Sequence, residues 1–559
     1  MQGMSRIVRT AIVLSVALLS LGCAGSRDAA QSGSSRSIAE SGAGAATDAI
    51  NVDAIAGPLA FLSDDLFEGR GPGTRGDELT QAYLASEFRA AGLKGGMSNG
   101  SFVQPVPIVG MTASVVAPLA ARGKGGDATF AAPDEFTAFA HRTDAALSWS
   151  DAEIVFVGYG ITAPEQNWDD FKDVDVRGKV LLVMNDDPSA DPTMFAGKSR
   201  LYYGRWTYKF EEAARRGALG VLLIHTTPSA GYPFQVIQSN HGQERFWLPF
   251  KEEPVMNISA WIGEEPAKRL AALGGHDLDR LRASAETREF RPVPLGVTTS
   301  LRMANTVRRF DSGNVVGVLE GSDPKLKNEY VVVSAHFDHL GRGPAKNGDD
   351  IYNGALDNAS GTAGMLALMK ALVASPRRPK RSVIFAAVTA EESGLLGSDW
   401  YAKHPTVPNA SIVCNVNIDG VNIWGRTRDV QLVGHGKSDL TTTVERAAAR
   451  QGRVVLPDSE PDKGLFYRSD HFSFARTGIP SVYLKAGRDF LADAESRRRI
   501  QLSYTALHYH QPSDHFDARW NLEGCVEDLK LLYDVVFDVG DAGVRPQWTK
   551  GDEFERARP

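Results

Sequence analysis

Apolar residues follow two rhythms along this chain. Near the start, Ile55, Leu59, Leu62 and Leu66 recur at helical spacing until the glycine-rich GRGPGTRG breaks the run. A second helix is predicted over 77–92, with Leu79, Tyr83, Leu84 and Phe88 on one face. Between about 130 and 300 the segments AEIVFVGYG, GKVLLVMND and GVLLIHT read as strands, and FEEAARRGA as a helix between the last two. That stretch predicts a separate, small, mixed α/β or β-rich insert. From about 312 the alternation becomes regular. NVVGVLEG, YVVVSAHF, RSVIFAAVTA, IVCNVNIDG and IPSVYLKA read as buried strands; GTAGMLALMKALVAS, TTTVERAAARQ and EDLKLLYDVVFDV read as helices. Strands apolar on both faces, interleaved with helices, predict an α/β fold whose mixed, mostly parallel sheet is covered by helices.

A chain of 559 residues suits two or three domains. The predicted division is 51–130 and 301–545 for one interrupted α/β domain, 131–300 for the insert, and 546–559 for a tail. The start of the chain reads as targeting rather than fold. Arg6 and Arg9 precede an apolar run, Ala11 to Leu21, that is too short to span a bilayer. Gly22 before Cys23 resembles a bacterial lipoprotein signal, although Ser20 stands where leucine is more usual; an ordinary secretory signal is the alternative. The expectation is a signal peptide over 1–22, a lipidated Cys23, and a flexible Ala/Gly/Ser-rich tether to residue 50. The protein would then be exported and either lipid-anchored in the bacterial cell envelope or secreted, touching a membrane only through that anchor. The net charge of −7 argues against nucleic-acid binding. Besides Cys23 there are only Cys414 and Cys525, too few for a disulfide framework or a cysteine-based zinc site. They read as two buried thiols, with a bridge between them left open.

Candidate chemistry concentrates in five short segments: SAHFDHLG, GALDNASGTAG, VTAEESGLLGS, NVNIDG and LHYHQPSDHF. Four lie at or just past the carboxyl end of a predicted strand, where open α/β sheets place their ligand crevice. They supply His336, Asp357, Glu391, Glu392, Asp419 and His510. Individually these residues have plain explanations: His336 as a strand-end histidine, Asp357 as a helix cap, Glu391–Glu392 as a solvated acidic turn. Together, imidazoles and carboxylates in this arrangement suit two metal ions sharing a bridging carboxylate, with one further carboxylate left to act on water. Asp338, two residues after His336, is placed to accept that imidazole's second nitrogen.

The segments HFD, ALDNASG, AEESGLLGS, NIDG and YHQPSD resemble the co-catalytic di-zinc peptidases of metallopeptidase family twenty-eight. LFEGRGPGTRG resembles that family's N-terminal segment, and VDVRGKVLLV with ARRGALGVLLIHT resembles an inserted protease-associated domain. The resemblance implies a zinc exopeptidase, preferentially an aminopeptidase, acting on peptides. It implies two zinc ions: His336 and Asp419 for one, Glu392 and His510 for the other, Asp357 bridging. It implies Glu391 as general base, Asp338 orienting His336, Asp514 supporting the ligands from behind, Tyr504 assisting at the carbonyl or oxyanion, and Asp470 and Arg205 near the substrate. A glutamate carboxypeptidase, a glutaminyl cyclase and a non-catalytic receptor on the same fold are the competing expectations. The full ligand set disfavours the last two. The absence of H-E-x-x-H disfavours a thermolysin-like enzyme.

Overall fold

The computed structural model describes residues 46–239, 241–249, 256–555 and 557. The signal and Cys23 expectations, and the tether as far as residue 45, lie outside the described residues; residues 46–50 are not part of a tether, because Ala46 and Ile50 are buried in the core. Among the described residues, one 16-stranded sheet organises the chain. At one end its order runs Val454–Pro457, Asp429–Val433, Ser481–Ala486, Ile412–Asn417, Tyr330–His336, Ser382–Val388 and the last residues of Val293–Leu319. The central pairings are parallel: Tyr330–His336 lies between Ser382–Val388 and Ile412–Asn417, and Ile412–Asn417 also pairs with Ser481–Ala486. The sheet is thus mixed and mostly parallel here, with its helices on the faces, as the alternating pattern predicts.

Both faces are covered because successive side chains of a strand point opposite ways. Val331, Val333 and Ala335 enter one core with the helices Val52–Leu62, Ser360–Ala374 and Glu523–Asp541. Val332 enters the other, with Tyr401, Ile412 and Phe474. The helix Ser360–Ala374 buries nearly all of its residues, which explains why its sequence is apolar all round. The helix predicted over 77–92 runs Arg75–Ala90, with Thr74 capping the Asp77 amide.

Two long strands, Val103–Gly123 and Val293–Leu319, pair antiparallel from Val103 opposite Val315 to Gly123 opposite Val297. This ribbon leaves the α/β unit and carries the segment between its arms. There the sheet continues through Ala146–Phe156, Val180–Met184, Gly220–His225, Ile258–Gly263 and Phe136–Ala140. That part has its own two cores, again split by strand alternation: Val180 and Leu182 face one, Leu181 and Val183 the other. It touches the α/β unit through the Arg200 amide, which donates to the Pro461 carbonyl at 3.0 Å, and through Tyr202, whose ring lies 5.0 Å from that of Phe472. Cys414 and Cys525 are both buried free thiols, not a bridge. No helix among the described residues is long and apolar enough to cross a membrane.

Candidate metal centre

Strand register sets the site. Ser334 stands opposite both Ala386 and Asn417, and His336 opposite Val388, so three parallel strands end nearly flush. The next residues out of each are Phe337 onward, Thr389 to Glu392, and Ile418–Asp419. Glu391 and Glu392 leave the strand after Ala390, which adopts φ 54°. His510 also sits at positive φ, 55°, with the Tyr509 ring stacked on it at 3.8 Å. Asp357 lies in the turn before Ser360–Ala374, and its peptide bond to Asn358 is cis. It does not cap that helix. Asn358 performs the local anchoring instead, its side-chain oxygen accepting from the Gly361 and Gly420 amides.

The side chains converge in two groups around Asp357. His336 Nε2 is 3.3 Å from Asp357 Oδ1 and 3.6 Å from Asp419 Oδ1. His510 Nε2 is 3.3 Å from Asp357 Oδ2 and 3.0 Å from Glu392 Oε2. The two oxygens of Asp357 therefore face two different sets, as a bridging carboxylate requires. Glu391 also offers an oxygen to the His336 and Asp419 side, and His339 a nitrogen to the Asp357 and Glu392 side, all within 4.8 Å of one another in each group. The Nε2 atoms of His336, His339 and His510 are buried and have no hydrogen-bond partner. Those of His336 and His510 face carboxylate oxygens, and buried imidazole nitrogens so placed are what a divalent cation would complete. The donor set of imidazole and carboxylate, without thiolate, fits zinc.

Supporting contacts fix this geometry. Asp338 is fully buried; its carboxylate accepts from the Glu391 amide at 3.0 Å and the Glu392 amide at 3.3 Å, and lies 3.6 Å from His336 Nδ1. His336 Nδ1 also meets the Asp338 carbonyl at 3.3 Å. Asp338 thus ties two ligand-bearing strand ends together as well as backing the imidazole. Asp514 accepts from the Leu356 amide at 2.9 Å, the Asp357 amide at 3.2 Å and the Tyr504 hydroxyl at 2.7 Å. Tyr504 therefore spends its hydroxyl on Asp514. Asp470 is fully buried beneath the cluster, where burial raises its carboxyl to about 7. His339, missed by sequence reasoning, contacts Glu392 Oε1 at 2.6 Å and so orients the oxygen pair that His510 meets. The pattern H-x-D-H held that signal.

Electrostatics separate the adjacent glutamates. Burial holds Glu391 well above the usual carboxylate range, and Glu392, Asp419 and Asp470 add to this against the opposing charge of His336. Glu392 is equally buried, but the charges of His510 and His339 bring it down to about 2. Two carboxyls joined by one peptide bond thereby acquire different proton affinities.

Arg205 sits on the insert at the start of the helix Trp206–Arg215. Burial, with a smaller contribution from the nearby charge of Arg468, lowers its guanidinium to about 10. Its buried Nε has no hydrogen-bond partner. Arg468 also influences Tyr509, which lies against His510 and is 41% exposed.

Residues 314–532 match the sequence model of peptidase family M28. A glutamate carboxypeptidase 2 homolog of Caenorhabditis elegans is 23% identical over 399 residues, 60% of this chain and 46% of that protein. A probable zinc metalloprotease of Pyricularia oryzae is 39% identical over 331 residues, 55% of this chain and 61% of that protein. The chain thus spans about half the length of these curated relatives. An aminopeptidase from Aneurinibacillus sp. strain AM-1 shares the fold with TM-score 0.53 and 20% identity, over 90% of this chain and 97% of that one. The segment 314–532, which carries His336, Asp357, Glu391, Glu392, Asp419 and His510, is the part of the chain that is similar to peptidase family M28.

Proposed function

We propose that this chain is a zinc-dependent exopeptidase, an aminopeptidase, that hydrolyses peptide bonds with Glu391 as general base. The observation carrying this reading is the split between Glu391 and Glu392 beside a two-faced Asp357. His336, Asp419 and Asp357 would hold one zinc ion, and His510, Glu392 and Asp357 a second. When bound, such a pair supplies Lewis acidity toward a carbonyl oxygen and acidifies water.

The protein's own part follows from the proton affinities. Glu392, held ionised, serves as a ligand. Glu391, whose surroundings favour protonation, accepts a proton from the attacking water and returns it to the departing amine nitrogen. Asp338 sets the backbone from which both carboxylates project, and Asp514 holds the bridging aspartate. The Aneurinibacillus neighbour's description as an aminopeptidase, and the zinc metalloprotease description of the Pyricularia relative, support the assignment.

A second reading, a glutamate-releasing carboxypeptidase, is favoured by Arg205 and Arg468, cations without a carboxylate partner among the described residues. They suit a substrate carboxylate. Peptides with free, acylated and amidated termini separate the two readings in zinc-loaded protein. Cleavage requiring a free amine supports the aminopeptidase. Cleavage of N-acylated peptides that requires a free terminal carboxylate supports the alternative.

We further propose that the unit carried by the ribbon is a protease-associated insert, and that residues 1–22 direct export with lipid attached at Cys23. Incorporation of labelled fatty acid into the wild type but not into Cys23→Ser tests the anchor; equal labelling would refute it.

A further inference from the structure

Arg70 is a large, fully buried cation far from the metal ligands in sequence. It lies in a turn where Glu68, Gly69 and Arg70 all have positive φ, at 49°, 71° and 53°. The turn is pressed against the strands that follow His336. A Cβ on Gly69 would meet the Tyr352 carbonyl oxygen at 2.4 Å and that of Gly341 at 2.6 Å. This packing drives the guanidinium inward.

There it makes four hydrogen bonds, all to backbone carbonyls. Nε donates to Phe337 at 2.7 Å, Nη1 to Leu62 and Asn353 at 2.6 Å each, and Nη2 to Gly354 at 2.8 Å. Phe337 separates His336 from Asp338, while Asn353 and Gly354 lead into Asp357. The Arg70 carbonyl in turn accepts from the His339 amide at 3.4 Å. Asn353 completes the clasp, donating to the Ser63 carbonyl at 3.0 Å and to Asp65 Oδ1 at 2.8 Å.

No carboxylate among the described residues forms an ion pair with this guanidinium. A buried charge without such a partner is costly. It is offset by the carbonyl dipoles and, at longer range, by Asp338, Asp514, Asp357 and Glu392. Its place beneath an acidic cluster is therefore favourable.

We propose that Arg70 is a positioning residue for the metal centre: its four-carbonyl clasp sets the distance between the loop bearing His336, Asp338 and His339 and the turn bearing Asp357. The proposal rests on the two-zinc reading of the site. Four directed donors are needed at once, so lysine, with a single point of attachment, cannot reproduce the clasp even though it keeps the charge.

The test uses the whole chain, with zinc affinity measured by chelator competition and the thermal midpoint measured metal-free and zinc-loaded. The wild type should bind two zinc ions; if it binds none, the two-zinc reading itself fails. Arg70→Lys should bind zinc at least tenfold more weakly and gain less in midpoint on loading, an effect of the size expected when support behind a ligand is lost. Gly69→Ala, which displaces the turn while leaving Arg70 in place, should weaken zinc binding in the same direction. If the wild type binds two zinc ions, and either folded variant matches its affinity within twofold while only its metal-free midpoint falls, Arg70 is a fold brace and the proposal is overturned.

Discussion

Replacing Asp514 by asparagine tests whether the site depends on a carboxylate four residues past His510. The side chain is 1% exposed and accepts three hydrogen bonds, two from the backbone of the Asp357 turn and one from Tyr504. Asparagine preserves the shape but has one acceptor oxygen and one NH2 group. In one orientation the NH2 faces the Asp357 amide; in the other it faces the Leu356 amide. Either way one buried N–H meets another donor. A lost charge-assisted bond is worth about 1.5–3 kcal/mol, and the buried donor it strands costs a comparable amount, part of which relaxation recovers. A net penalty of about 3 kcal/mol is therefore expected, or about a hundredfold at 1.4 kcal/mol per decade. Because the affected amides lead directly into Asp357, the loss should fall mainly on zinc affinity, read by chelator competition. Tyr504→Phe provides the scale. It removes one donor, strands no backbone group, and should cost about 1 kcal/mol, roughly fivefold. Zinc affinity in Asp514→Asn within threefold of the wild type would refute the claim that Asp514 holds the bridging ligand.

Three further outcomes follow from the same geometry. Glu391→Gln should retain zinc within a few-fold and lose about 10²–10⁴ in kcat, the scale of general-base catalysis, in a peptide hydrolysis assay; loss of zinc instead would make Glu391 a ligand. Asp357→Ala removes the oxygens facing both His336 and His510 and should lose metal content by elemental analysis; full zinc content would defeat the bridging assignment. His141, buried in the insert with its Nε2 2.6 Å from Ser259 Oγ, has its pKa lowered to about 3 by burial, with a smaller contribution from Arg245. Its unfolded pKa is near 6.5, so the stability from keeping it neutral is complete above that pH. It falls by up to about 1.4 kcal/mol per pH unit as the pH drops toward 3. His141→Gln should flatten the acid-unfolding profile over that window, and an unchanged slope would contradict this.

The strands and ligand segments were legible because each carries a local signal. Tyr330–His336, Ser382–Val388 and Ile412–Asn417 are apolar on both faces, and polar residues appear where they end. The long ribbon was not legible. In Val103–Gly123 the alternation is interrupted by the buried run Ile108–Met111 and the exposed stretch Val116–Pro118, so its 21-residue extent depends on pairing with a partner some 190 positions away. Asp357 shows the opposite failure: its local pattern reads as a helix cap, yet the helix is anchored through Asn358. The Arg70 clasp is invisible to periodicity because its meaning lies in carbonyls 267 to 284 residues away. By periodicity alone LFEGRGPGTRG reads as a turn, and its resemblance to a family segment does not say what Arg70 holds.

The Glu391–Glu392 pair marks where local reading ends and folded geometry takes over. The two share a residue type and adjacent positions, and both are half-buried beyond the same strand. Their difference comes from what the rest of the chain brings to each. Glu392 receives His339 from the loop after one strand and His510 from a segment more than a hundred residues later. Glu391 instead faces Asp419 and Asp470 from two other segments, with His336 the opposing charge. Each contact is long-range in sequence, so no reading of AEES alone could assign one carboxylate to metal and the other to protons. Strand register makes the assignment possible: a shift of one residue would turn each side chain to the other face of the sheet, separating Glu392 from His339 and His510 together. The division of labour proposed for the two glutamates is therefore a property of the sheet's alignment.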